Sequence, residues 1–254
     1  MPKTFYCLLA VLGLLATAKA DSSSTEPAAP VPSADALLDE VLLRLPTEPL
    51  QIAGEFRADP REGKSERRGL VQVFLEYGAS PPRARYTFMN LFGGDLEQMT
   101  IVRPSGESPR WYYARGTPLV EAPAPDPSAP IQETDLSWAD LSLSFLWWRP
   151  AVWVGEETVL DRPCLILEVR PGPSEPSLYA KVRLWIDRQH RFLLRAEGFD
   201  QDGNPRRRVG VKSIMKIDGE WMIKDLDVTT LPERWRTSLR MEVVDRPQGA
   251  ASPR

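Results

Sequence analysis

Between Ala34 and Leu45, in "ADALLDEVLLRL", apolar residues recur at three- and four-residue spacing: Leu38, Val41, Leu42 and Leu45 share a face, which Leu37 and Leu43 widen. Ser33 precedes the run as an N-cap and Pro46 ends it, so the pattern predicts a helix. From Leu50 onward the spacing drops to two. Val71, Val73, Leu75 and Tyr77 alternate in "LVQVFLEYG", and Ala84, Tyr86 and Phe88 in "RARYTFMN". Leu165, Leu167 and Val169 do so in "CLILEVR", Val182, Leu184 and Ile186 in "VRLWID". Val209, Val211, Met215 and Ile217 share one parity, interrupted by Ser213. Such alternation predicts strands with one buried face. Asp-Gly pairs in "DQDGNP" and "IDGE" predict hairpin turns, making the second half a meander of antiparallel strands. The proline-rich stretch 121–133, "EAPAPDPSAPIQE", interrupts the strands as a surface loop within one domain.

That loop leads into "DLSWADLSLSFLWWRPAVWVG", which gathers four of the chain's eight tryptophans. Read as a helix from Asp135, it places Trp138, Leu141, Phe145 and Trp148 on one stripe, with Leu136, Leu143 and Trp147 nearly opposite. A surface helix needs one apolar face; two imply that a core layer, another protein or a ligand covers the outer one. "LSLSF" also alternates, so a short helix with an irregular end before Pro150 competes with one helical turn followed by an extended piece. Taken alone, such a cluster fits a core more readily than a pocket.

The N-terminus bears on compartment. Lys3, an apolar run from Phe5 to Ala16, and Ala18 and Ala20 in an A-x-A arrangement predict a secretory signal peptide, 1–20, cleaved after Ala20. The run is shorter than the ~20 residues that span a bilayer. Cleavage would remove Cys7 and leave Cys164 with no internal partner, in an exported, periplasmic protein. It would also remove Lys3 and Lys19, taking the formal net charge from −3 to −5, which argues against nucleic acid or an anionic surface as the main partner. Residues 21–33, "DSSSTEPAAPVPS", have little to bury and read as a disordered leader; 34–244 form the domain, and 245–254 a flexible tail.

Catalytic chemistry finds no foothold. The single histidine, His190, sits in the polar turn "DRQHRF" and reads as solvated. GxSxG, phosphate-loop and GxGxxG patterns are absent, and one His with one mature Cys cannot assemble a zinc site. "DQDGN" departs from a calcium loop, since its glycine falls fourth and Val211 stands at the twelfth place. Arg206 to Arg208 read as a solvated strand end. The expectation is a protein with no cofactor, no metal and no catalysis.

The run "VGEETVLDRPCLILEVRP", followed by "YAKVRLWIDRQHRFLLRAEGFDQDGNPRRRVGVKSIMKIDGEWMIKDLDVTTL", resembles the broad LolA-like outer-membrane lipoprotein-sorting family. "TDLSWADL" is similar to that family's short acidic-aromatic helix, and a helix running into "LQIAGEF" suits its start. The resemblance covers nearly all of 34–244 and rests on strands and turns rather than a catalytic signature. It implies a mainly β, α+β fold: a strongly curved antiparallel sheet forming an incomplete barrel under a helical lid, with an apolar cavity for acyl chains between. No cargo contact carries over residue by residue. The inward positions Leu38, Leu42, Val73, Leu75, Tyr86, Phe88, Trp138, Leu141, Phe145, Trp148 and Leu184 are the expected lining of cavity and lid. The implied function is a monomeric exported carrier of lipid or acylated lipoprotein, served by membrane-associated donor and acceptor proteins. A lipid-responsive periplasmic sensor with a membrane-anchored partner is the alternative, and an interaction domain with a self-filled core is the third reading.

Overall fold

The computed structural model describes residues 32–60, 65–173, 175, 177–217 and 220–245. The expected signal peptide, leader residues 21–31, the turn at Asp218 and Gly219, the Ile217 side chain and tail residues 246–254 lie outside the described residues. Helix α1 spans Ala34–Leu42, and the Ser33 hydroxyl accepts from the Ala36 amide at 3.1 Å as the N-cap. It stops three residues before Leu45, and Leu43, expected on the apolar face, is 81% exposed. Pro46 disfavours helical backbone just ahead of it, and the chain leaves the helix through tighter turns, with the Arg44 and Leu45 amides donating to the Val41 and Leu42 carbonyls at 3.0 and 3.1 Å.

Thirteen strands make one sheet: β1 (Leu50–Ala58), β2 (Arg67–Glu76), β3 (Arg83–Met89), β4 (Asp95–Val102), β5 (Arg110–Arg115), β6 (Val120–Ala122), β7 (Val152–Val159), β8 (Arg162–Val169), β9 (Lys181–Asp187), β10 (Leu193–Phe199), β11 (Pro205–Ile217), β12 (Glu220–Thr230) and β13 (Trp235–Asp245). Their order is β6-β5-β4-β3-β2-β1-β13-β12-β11-β10-β9-β8-β7, every pairing antiparallel. Strands β6 and β7 are not joined, so the sheet stays open as an incomplete barrel. The connection between them has a topological consequence. The chain leaves one edge at Ala122 and enters the opposite edge at Val152, so residues 123–151 must cross from edge to edge.

Strand alternation builds two faces. Leu165, Leu167, Val169, Val182, Leu184 and Ile186 turn toward α1 and the crossing segment. Cys164, Ile166 and Trp185, of the opposite parity, pack with Leu194 and Val211 on the other side. Val209 and Val211 therefore part company despite their shared parity: Val209 joins the helix-covered side, and the register slips just beyond Val211. The "DQDGN" turn is a hairpin, with Asp200 Oδ1 accepting the amides of Asp202 (3.1 Å) and Asn204 (2.8 Å), and Gly203 at φ 83°. Strand β11 lies inside the sheet, which corrects the reading of Arg206–Arg208 as a solvated end: Arg206 is exposed, but Arg207 is largely enclosed.

Candidate functional site

The aromatic segment is neither one continuous helix nor an extended strand. Helix α2 covers Trp138–Ser142, Leu143 adopts a left-handed conformation at φ 50°, and a 3-10 turn follows over Ser144–Trp147. The cause is local. Ser137 caps α2 by accepting the Asp140 amide at 3.2 Å, while the Ser142 hydroxyl bonds back to the Ala139 carbonyl (2.8 Å) and to Ser144 (2.7 Å). These serines offer the backbone alternatives to a continuing helical ladder, and the helix breaks between them.

The break splits the predicted stripe. Trp138 and Leu141 pack with Val73, Leu75, Tyr86 and Phe88 in one apolar layer, over the β1–β4 part of the sheet. Phe145 and Trp148 pack with Leu38, Leu42 and Leu184 in a second layer, under α1. The structure thus brings the eleven expected residues together as two adjoining sets, with Val209 touching both. The opposite stripe is covered too: Leu136 is fully buried in the first layer, and Leu143 and Trp147 rest against the second. Phe88 and Trp138 meet edge to face at 5.6 Å, as do Phe145 and Trp148 at 6.5 Å.

A largely buried polar bundle accompanies these layers. Asp135 accepts from the hydroxyls of Thr230 (2.6 Å) and Thr237 (3.4 Å), while its amide donates to Thr237 at 2.9 Å. Asp140, almost wholly buried, accepts from the Tyr179 hydroxyl at 2.7 Å and lies 3.5 Å from the Arg207 guanidinium. Arg207 also donates to the Asp135 carbonyl and to Thr230 at 3.1 Å. Burial, reinforced by the Asp140 charge, raises the Tyr179 hydroxyl well above the usual phenol range and keeps it a donor.

Further ties reach the crossing segment. The Tyr86 hydroxyl donates to the Leu141 carbonyl at 2.7 Å. Arg103 donates to the Ser142 carbonyl at 2.7 Å and lies 4.1 Å over the Trp147 ring; burial lowers its pKa. At the outer edge Arg149 pairs with Asp39 of α1 at 2.8 Å, and the Ala151 amide donates to Asp35 at 2.7 Å. Sequence reasoning missed Arg103, Asp140, Tyr179 and Arg207. Ser137-x-x-Asp140 is a capping pattern that could have flagged Asp140; the arginines lie too far along the chain for any local signal.

A cleft of about 420 Å3 lies at the polar corner formed by Leu160, Asp161, Arg162, Pro163, Asp187, Arg188 and Gln189. Asp187 is buried there and bonds Arg162 at 3.1 Å and His190 Nδ1 at 3.2 Å, so His190 is tethered rather than freely solvated. Among the described residues, no group of three or more His, Cys, Asp and Glu is placed to hold a metal ion. No described helix is long and apolar enough to cross a membrane.

An open antiparallel sheet crossed by a short helical segment, with apolar layers between, defines the LolA-like fold. A DUF1329 family protein from Desulfovibrio piger shares it with a TM-score of 0.72 at 15% identity, over 87% of this chain and 96% of that one. A Vibrio parahaemolyticus domain assigned as an outer membrane lipoprotein-sorting protein does so at 0.73 and 13%, over 86% and 94%. A LolA superfamily protein from Nitrosomonas europaea gives 0.63 and 14%, over 86% and 95%. A family model described as "-like: Uncharacterized protein" matches residues 96–250, and the chain belongs to that family. No curated protein matches it in sequence.

Proposed function

We propose that this protein is an exported soluble carrier that binds acyl chains of a lipid or lipoprotein between its helical cover and its sheet, without catalysis. The observation that carries this reading is the nature of the seam under α1 and the Ser144–Trp147 turn. Leu37, Leu38, Val41, Phe145 and Leu146 meet Leu165, Leu167 and Leu184 through side-chain packing. Neither cover element belongs to the sheet's strand order. Parting the seam therefore breaks apolar contacts, the Arg103 contacts to Ser144 and Trp147 and a few edge ties, and an entering chain restores burial at about 0.8 kcal/mol per methylene. The cover gates entry and release as a shift between closed and open populations. The LolA-like fold, shared with a protein assigned to outer-membrane lipoprotein sorting, agrees with this reading. Residues 1–20 would direct the chain to the periplasm, with membrane-associated proteins as donor and acceptor. Mass spectrometry of lipid extracted from protein purified without detergent tests the reading: an acyl lipid in stoichiometric amount is expected, and lipid-free protein that also ignores added amphiphile would refute it.

A further inference from the structure

Among the described residues, one buried polar atom in the layer beneath α1 has no hydrogen-bond partner. Of the buried apolar and aromatic residues that make up this layer, Trp148 and Tyr179 carry a polar group. The Tyr179 hydroxyl is bonded to Asp140 at 2.7 Å. The Trp148 indole Nε1, buried with a residue exposure of 6%, has no hydrogen-bond acceptor among the described residues. Buried indole N–H groups ordinarily find a partner, and leaving one unpaired raises the free energy of the state that contains it. Trp148 is also placed where a partner could come from outside. The next residue, Arg149, reaches the seam's outer edge and pairs there with the largely exposed Asp39. The layer is mostly aliphatic, Trp148 adds an indole donor to it, and the next residue along the chain belongs to a charged rim. An acylated molecule offers a counterpart to each: hydrocarbon chain, carbonyl, polar head.

We infer that Trp148 is a specificity-determining residue whose indole N–H donates to the ester or amide carbonyl of the bound acyl chain. This deepens the carrier reading and rests on it. The hydrogen bond would exist only in the loaded protein, so it favours the loaded over the empty closed state and discriminates acyl groups from plain alkyl chains.

Two single-chain probes separate the possibilities: palmitoyl lysophosphatidylcholine, and its hexadecyl ether analogue, which lacks the carbonyl. Both are titrated below their micelle concentrations. The parent should bind the ester about fivefold tighter than the ether, the worth of one neutral hydrogen bond. Trp148→Phe should abolish that preference by weakening the ester alone. The indole 15N–1H resonance of Trp148 should move downfield with ester and stay in place with ether. The parent's own preference requires no variant, so a poorly folding Trp148→Phe protein leaves the inference open to refutation. Equal affinities in the parent, or a preference that survives in Trp148→Phe, would overturn the carbonyl assignment while leaving the carrier reading intact. Failure of the parent to bind either probe would remove the carrier reading and this inference with it.

Discussion

Single side chains carry the most direct tests of how this fold is held. Cys164 is 1% exposed, and burial lifts its thiol pKa to about 11. The thiolate, not the thiol, is the nucleophile. A thiol reagent added at neutral pH should therefore label Cys164 only at the rate of unfolding, and rapid labelling of native protein would contradict its placement. Asp187 responds to acid. Burial works to raise its pKa, but the His190 amide and side chain and the Arg162 guanidinium outweigh it, and the pKa is lowered. A lowered carboxylate stabilises the fold above its unfolded pKa of about 3.9, and that contribution is lost as pH falls through the folded value. Asp187→Asn should cost on the order of 1–3 kcal/mol at neutral pH. The gap from the parent, read from urea midpoints, should close as the pH is taken well below 4; a pH-independent gap would refute the linkage. Phe92 is the contrast: at 97% exposure it caps no core, and Phe92→Ser should alter stability by less than about 0.5 kcal/mol. The inward parity of Leu165, Leu167, Leu184, Tyr86 and Phe88 was legible in the sequence because a strand's side chains alternate by geometry. The burial of Cys164 was not legible, since it depends on the layer formed behind the sheet by Trp185, Leu194 and Val211.

Elements were read well where one period ran unbroken, and poorly where polar groups cut in. Strands β2, β3, β8 and β9 bury the parity their patterns mark, and helix α1 follows its pattern as far as Leu42. Strand β4 escaped pattern reading because its buried face starts with Glu97, which accepts from Tyr113 (3.0 Å) and Gln132 (2.6 Å), ahead of Met99 and Ile101. In the crossing segment, hydroxyls of Ser142 and Ser144 end α2 where periodicity alone would extend it. What fixes this segment to the sheet is the bundle around Arg207. Removing that guanidinium leaves Asp140 buried with its charge uncompensated. Arg207→Ala should cost about 3–5 kcal/mol, and amides from Trp138 to Trp148 should lose hydrogen-exchange protection first. Arg206→Ala, one residue away and exposed, should change stability by less than about 0.5 kcal/mol. Equal costs at the two positions would show that the run acts as undifferentiated charge and that Arg207 pins nothing.

At the scale of the whole molecule, the aromatic segment owes its composition to its route. A strand order that places β6 and β7 at opposite edges obliges residues 123–151 to span between them. A chain crossing a sheet face needs apolar groups below, and α1 adds a neighbour at its side. That satisfies both stripes of the pattern, which taken alone from the sequence fits a core more readily than a pocket. The carrier account adds that the α1 side of this packing opens reversibly. The most direct measurement is tryptophan emission during titration with palmitoyl lysophosphatidylcholine, performed on the parent protein and on Phe145→Asp. Phe145 packs against Trp148 in the seam, so acyl entry should change the parent's emission saturably at near-equimolar ligand. Phe145→Asp should weaken that response by more than it lowers the denaturation midpoint. An emission that only drifts without saturating in the parent, together with a Phe145→Asp midpoint collapsed by the ~3–5 kcal/mol typical of a lost core aromatic, would make the seam permanent core and contradict the account.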